Sequence, residues 1–150
     1  MKVIAVSGFA RSGKDLFCGI AKNILTKNGY RPKQYSFAGA LKNQIAPFLK
    51  DTCGVDVWTE DSEIKKDIRD FLVWYGTTFW RKRDSNRWIR EVDLNLKNDR
   101  DTVDIALISD VRYPNEADWV HSWQGYLVHI SSYTMEQEMV FDYESHPDMD

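Results

Sequence analysis

Residues 1–15, M-K-V-I-A-V-S-G-F-A-R-S-G-K-D, constrain this chain more than any other stretch. An apolar run, Val3 to Val6, breaks at Ser7-Gly8, and Gly13-Lys14 follow before a helix-like pattern. This order of strand, glycine loop and helix start reads as a phosphate-binding loop of the form G-x-x-x-x-G-K. Gly8 and Gly13 permit backbone angles and a close approach that side chains would block. The loop amides and the helix N-terminus behind them then face an anion, and Lys14 adds a mobile positive charge. The plain alternative is a turn between a buried strand and a surface helix, but the string lies directly between the two elements it needs. Asp15 stands where Ser or Thr commonly holds magnesium. A carboxylate suits a helix N-terminus, and it can also hold magnesium directly or through water.

The rest of the chain alternates in period. Strands are expected at 2–7, 33–38, 103–109 and 126–131. A helix over 13–28 would carry Phe17, Ile20, Ala21, Ile24 and Leu25 on one face. A second should open at Gly39, with Pro47 interrupting or kinking it. Residues 51–60 read as irregular. Asp61-Ser62 suits a cap for a helix over 62–76, which Gly76 should end or bend. Another helical pattern runs over 77–97, broken near Asp84-Ser85-Asn86, and residues 98–102 read as a loop. A last helix spans 114–123, with Pro114 in its first turn; residues 132–150 carry no clear element. Strands alternating with helices imply an open parallel α/β sheet, with ligands at the carboxyl ends of the strands. Gly8, Gly39 and Asp110 all fall near such ends.

At 150 residues one domain is the default. The net charge of −3 gives no electrostatic case for a nucleic-acid polymer or an anionic membrane as partner. No stretch is long and apolar enough to span a bilayer. Cys18 and Cys53 form neither a disulfide framework nor a metal quartet; Cys18 reads as a buried free thiol, which fits a reducing cytoplasm. The three histidines lack metal spacing.

Two further clusters can carry chemistry. Asp110 ends an apolar strand and Arg112 follows, so a carboxylate suited to magnesium water or substrate shares a loop with a guanidinium suited to phosphate. A loop acid or helix cap is the competing reading of Asp110. Arg69, Arg81, Lys82, Arg83, Arg87 and Arg90 are interleaved with Phe79, Trp80 and Trp88. They suit either a nucleotide pocket or a solvated charged face over aromatic core. Trp58, Trp119 and Trp123 suit either a core or an interface, which leaves a homodimer open.

Four stretches together resemble the bacteriophage deoxynucleoside monophosphate kinases, a branch of the P-loop kinases. They are S-G-F-A-R-S-G-K-D, F-A-G-A-L-K, I-R-D-F-L-V-W-Y-G-T-T-F-W-R-K-R-D-S-N-R-W and I-S-D-V-R-Y-P-N-E-A-D, the last being the most specific. The resemblance covers residues 1 to about 130 and accounts for Asp15 as a mark of this branch. It implies a P-loop NTPase-type sheet in a single kinase domain. The activity implied is transfer of the ATP γ-phosphate, with Mg²⁺, to a deoxynucleoside monophosphate, in the host cytoplasm. Gly8, Arg11, Ser12, Gly13 and Lys14 would bind ATP phosphates, with Lys14, Arg11 and Asp15 in catalysis. Lys42, Arg69, Arg81, Asp110 and Arg112 would hold the monophosphate, and Asp15 and Asp110 are the candidates for magnesium.

The chain departs from the family in three places. Leu16 replaces a hydroxyl residue, H-I-S-S-Y-T lacks the arginine expected after the strand at 126–131, and residues 132–150 resemble only part of a lid. Relatives continue into a further edge strand. The departures favour a catalytically weak nucleotide-binding protein as the alternative. A second alternative, another small-metabolite kinase such as a dephospho-coenzyme A kinase, shares the loop but leaves D-V-R-Y-P-N-E unexplained.

Overall fold

A computed structural model describes residues 1–9 and 12–131. Arg11 and the lid-like stretch 132–150 lie outside the described residues, as would any further edge strand. The chain forms two compact units, one of Met1–Tyr35 with Leu96–Asp150 and the other of Ser36–Asn95.

The first unit is built on four parallel strands: β1 (Lys2–Ser7), β2 (Pro32–Tyr35), β3 (Ile105–Val111) and β4 (Tyr126–His129). Their order is β2-β3-β1-β4, so the open parallel α/β sheet expected from the sequence is present. β3 is buried along its whole length, as a central parallel strand must be. Helix α1 (Lys14–Lys27) packs over β2 and β3. It covers Ile4, Val6, Ile105 and Leu107 with Phe17, Cys18, Ala21 and Leu25. The apolar face differs from the expected one: Ile20 and Ile24 are exposed, and Cys18 takes the central buried place. Positions 14, 18, 21 and 25 form the inward stripe, so Ile20 and Ile24 fall about a quarter-turn or more away. Helix α5 (Pro114–Ser122) lies against β1 and β4. Its buried Glu116 accepts hydrogen bonds from the Arg112 and Tyr113 amides at 2.8 and 3.0 Å, fixing the turn after β3.

Two strand boundaries shift. The segment expected as a strand over 33–38 ends at Tyr35, because Ser36 caps a helix and accepts from the Gly39 amide at 2.8 Å. The third strand begins later than expected and runs through Asp110 to Val111, so Asp110 lies within the strand.

In the second unit α2 (Phe37–Cys53) passes through Pro47 without interruption. Pro47 is exposed, while Ile45 and Leu49 on either side are buried with Val57, holding the helix together across the missing donor. Helix α3 (Ser62–Val73) is capped by the Asp61 carboxylate, which accepts from the Glu63 amide at 2.9 Å and the Ile64 amide at 3.3 Å. Helical turns do not stop at Gly76: a π-helical stretch, Trp74–Arg81, continues from α3 and contains Gly76. A Cβ at position 76 would stand 2.6 Å from Leu41 Cδ2, and the Gly76 carbonyl accepts from Trp88 Nε1 at 3.0 Å. The wider helix turn thus accommodates close packing on both sides of one glycine. After a break at 84–86, α4 (Arg87–Asp99) follows, ending two residues beyond the expected end, with its residues from Leu96 onward in the first unit.

Candidate functional site

The order of the strands creates the site. The chain leaves β1 toward β2 on one side, and β3 later connects to β4 on the other. The crevice at such a switch point lies at the carboxyl ends of β1 and β3. Ser7 pairs with Val111 there, across an irregularity in register after Ala5, so the glycine loop and the Asp110–Arg112 turn emerge side by side.

The loop has features that only glycine accommodates. Gly8 has φ 153°, and a Cβ on it would lie 2.5 Å from the Ile130 carbonyl oxygen and 2.8 Å from Ser12 Oγ. Gly13 has φ 96° and stands at the N-cap of α1, with its carbonyl accepting from the Phe17 amide at 2.9 Å. The Ser12 amide donates to the Phe9 carbonyl at 3.1 Å, closing the loop on itself. Ser12 Oγ is buried, and no hydrogen-bond partner accompanies it among the described residues. A buried hydroxyl left in this way costs about 1–3 kcal/mol, unless a ligand atom completes it.

Lys14 collects the electrostatics of the site. Burial pushes its ammonium below the ordinary lysine pKa, and the Arg112 guanidinium pushes in the same direction. Asp110 and then Asp15 oppose them. The same two carboxylates, after burial, hold the Cys18 thiol above its ordinary range. Lys14, Asp15, Asp110 and Arg112 therefore act on one another within this unit. Asp110 is buried at the end of β3, whereas Asp15 and Arg112 are exposed. Among the described residues no group of three or more His, Cys, Asp or Glu converges as a metal cage. Magnesium bound through one or two carboxylates and the phosphates of a nucleotide needs no such cage. Asp15 and Asp110, which both act on Lys14, are carboxylates of the kind such an ion takes. Leu16, the residue after Asp15, is 69% exposed and supplies no oxygen.

The other predicted residues lie in the second unit. Lys42 stands on α2, half-buried, with its ammonium 5.3 Å from the centroid of the Trp58 ring. Arg69 is exposed on α3. Arg81 ends the π-helical stretch and donates to the Ser85 carbonyl at 3.4 Å. The neighbouring basic residues serve local structure. Arg83 donates to the Phe79 carbonyl at 2.8 Å and covers its ring, Arg90 pairs with Asp84, and Arg87 lies 3.7 Å from the Trp80 ring centroid. Of the three tryptophans whose placement the sequence left open, Trp119 is buried, Trp123 is intermediate and Trp58 is 48% exposed. No sequence signal separates them, because burial depends on which element each faces.

No family model matches this chain. No curated protein matches it either. Among solved structures, the crystal structure of APE1195 aligns at 16% identity and a TM-score of 0.41, covering 96% of this chain and 67% of the other. A likeness at that level carries no argument about fold or activity.

Proposed function

We propose that this protein transfers the γ-phosphate of ATP to a deoxynucleoside 5′-monophosphate. The observation that carries the reading is the glycine loop beside β3. Gly8 and Gly13 leave the backbone bare, the buried Ser12 hydroxyl has no partner among the described residues, and the Lys14 ammonium is partly desolvated beside Arg112. A partly desolvated ammonium beside a second cation favours an anion, and a polyphosphate adds negative charge to that pair. Resemblance to the phage kinases over I-S-D-V-R-Y-P-N-E-A-D supports the substrate class.

In this reading the loop amides and Lys14 hold the outer phosphates of ATP. Arg112 in the first unit is a phosphate ligand, and Lys42, Arg69 and Arg81 are the second unit's candidates for the monophosphate. Asp110 and Asp15 would hold magnesium, directly or through water, and the ion supplies charge neutralisation at the phosphate oxygens. No protein nucleophile is required, since phosphoryl transfer depends on in-line positioning and on neutralising charge.

ADP release measured with each deoxynucleoside monophosphate, and with dephospho-coenzyme A, tests the proposal. Turnover confined to the monophosphates supports it, and turnover on dephospho-coenzyme A replaces it with the other metabolite kinase. Leu16 favours a second reading, a catalytically weak nucleotide-binding protein. ATP binding without turnover on any of these acceptors is its signature.

A further inference from the structure

Lys42 and Trp58 form a pair in the second unit, the ammonium over the exposed ring. Lys42, Ile45 and Leu49 recur at helical spacing on one face of α2, and the chain after α2 returns along that face. Val57 is buried against Ile45 and Leu49, which anchors the return. The next residue, Trp58, remains 48% exposed. Its backbone lies in a hydrogen-bonded turn. Its amide donates to the Asp56 carboxylate at 3.0 Å, the Thr59 amide donates to the Asp56 carbonyl at 3.0 Å, and Thr59 Oγ1 accepts from the Asp61 amide at 3.1 Å. A buried valine and an aspartate-centred turn thus present a large flat ring to solvent, with the ammonium of a phosphate-site candidate over its face.

We propose that Trp58 is the stacking platform for the base of the deoxynucleoside monophosphate, and that Lys42 covers this platform until the substrate arrives. The inference rests on the kinase reading above. An ammonium over an exposed indole is a weak contact, whereas a nucleobase on an aromatic ring is a stronger one that tolerates any base. Lysine carries its charge on a flexible stem, so the ammonium can leave the ring for the phosphate as the base takes the vacated face. One residue pair then reads both ends of the same ligand. Stacking also accounts for a platform without base-specific hydrogen bonds, which predicts modest discrimination among bases at this position.

The experiment compares binding of a deoxynucleoside monophosphate with binding of 2-deoxyribose 5-phosphate, by calorimetric titration of the full chain. Trp58→Ala is expected to weaken the nucleotide roughly tenfold, as loss of one base-stacking partner does, and to leave the base-free sugar phosphate unchanged. Trp58→Phe, which keeps a ring, should restore most of the nucleotide affinity. Equal weakening of both ligands by Trp58→Ala, or weakening of neither, overturns the assignment. If the wild-type chain binds the nucleotide and Trp58→Ala binds it as well, only the platform falls. If the wild-type chain binds no deoxynucleoside monophosphate, the kinase reading falls with it.

Discussion

Gly8 and Lys14 show how single residues bear on the proposed phosphate site. At Gly8 the constraint is steric and conformational together, since a methyl group would meet both a carbonyl and a hydroxyl at a positive φ. Gly8→Ala should cost about 1–3 kcal/mol of stability and should also weaken ATP, measured by urea unfolding and by titration. At Lys14 the constraint is charge. Lys14→Ala should lower turnover by roughly 10²-fold or more while circular dichroism and the unfolding midpoint stay near wild type; unchanged turnover would remove the loop from the mechanism. Cysteine chemistry gives an independent check on packing. Cys18 is buried and held above its ordinary pKa by burial, Asp15 and Asp110, while Cys53 is exposed. A thiol reagent at neutral pH should therefore modify Cys53 alone in the native protein and both thiols after denaturation.

Helix α2 and the π-helical stretch carry the lesson at the scale of elements. Propensity put an interruption or kink at Pro47 and an end or bend at Gly76, yet α2 runs on through Pro47 and helical turns continue through Gly76 in π form. Ile45, Leu49 and Val57 hold α2 together across the proline, and Gly76 is needed for close approach to Leu41 and as the acceptor for Trp88. The buried indole bond gives a prediction at this scale. Trp88→Phe keeps most of the apolar bulk but leaves the Gly76 carbonyl without that donor, and should destabilise the protein by about 1–3 kcal/mol in denaturant unfolding. A change well below that would mean that water replaces the indole. The capped start of α2 at Ser36 was legible as a residue type, yet Phe37 and Ala38 read equally well as the end of a strand.

For the whole molecule, the sheet decides which distant residues meet. β2 is tied at both ends to the segment before β3: Arg31 pairs with Asp104 at 2.9 Å, and Asp99 accepts from Lys33 at 2.8 Å and Tyr35 at 2.6 Å. These bonds hold Asp104 below the ordinary carboxylate pKa, chiefly through Arg31, and Asp99 likewise through Lys33 and then Tyr35. A depressed native pKa means that the unfolded chain takes up protons first as pH falls. The stabilisation is therefore full above the unfolded carboxylate pKa of about 4 and is lost as pH falls through the lower native values. Thermal melts should show Tm falling below about pH 4, and the combined Asp99→Asn and Asp104→Asn changes should lower Tm at neutral pH and flatten that acid decline. An acid limb as steep as wild type would dismiss these pairs as its cause. The described residues contain no helix long and apolar enough to cross a membrane.

The strand, the glycine loop and the start of α1 were legible from sequence because they are contiguous: the apolar run, the two glycines and the lysine define one another within fifteen residues. The alternation of periods likewise determined an open parallel sheet, since parallel strands need crossovers and the helices supply them. What the local pattern could not contain was adjacency. Only the strand order brings Asp110 and Arg112 beside Lys14. Only the fold distinguishes the exposed Trp58 from the buried Trp119, because which side of an element faces water is a property of its neighbours.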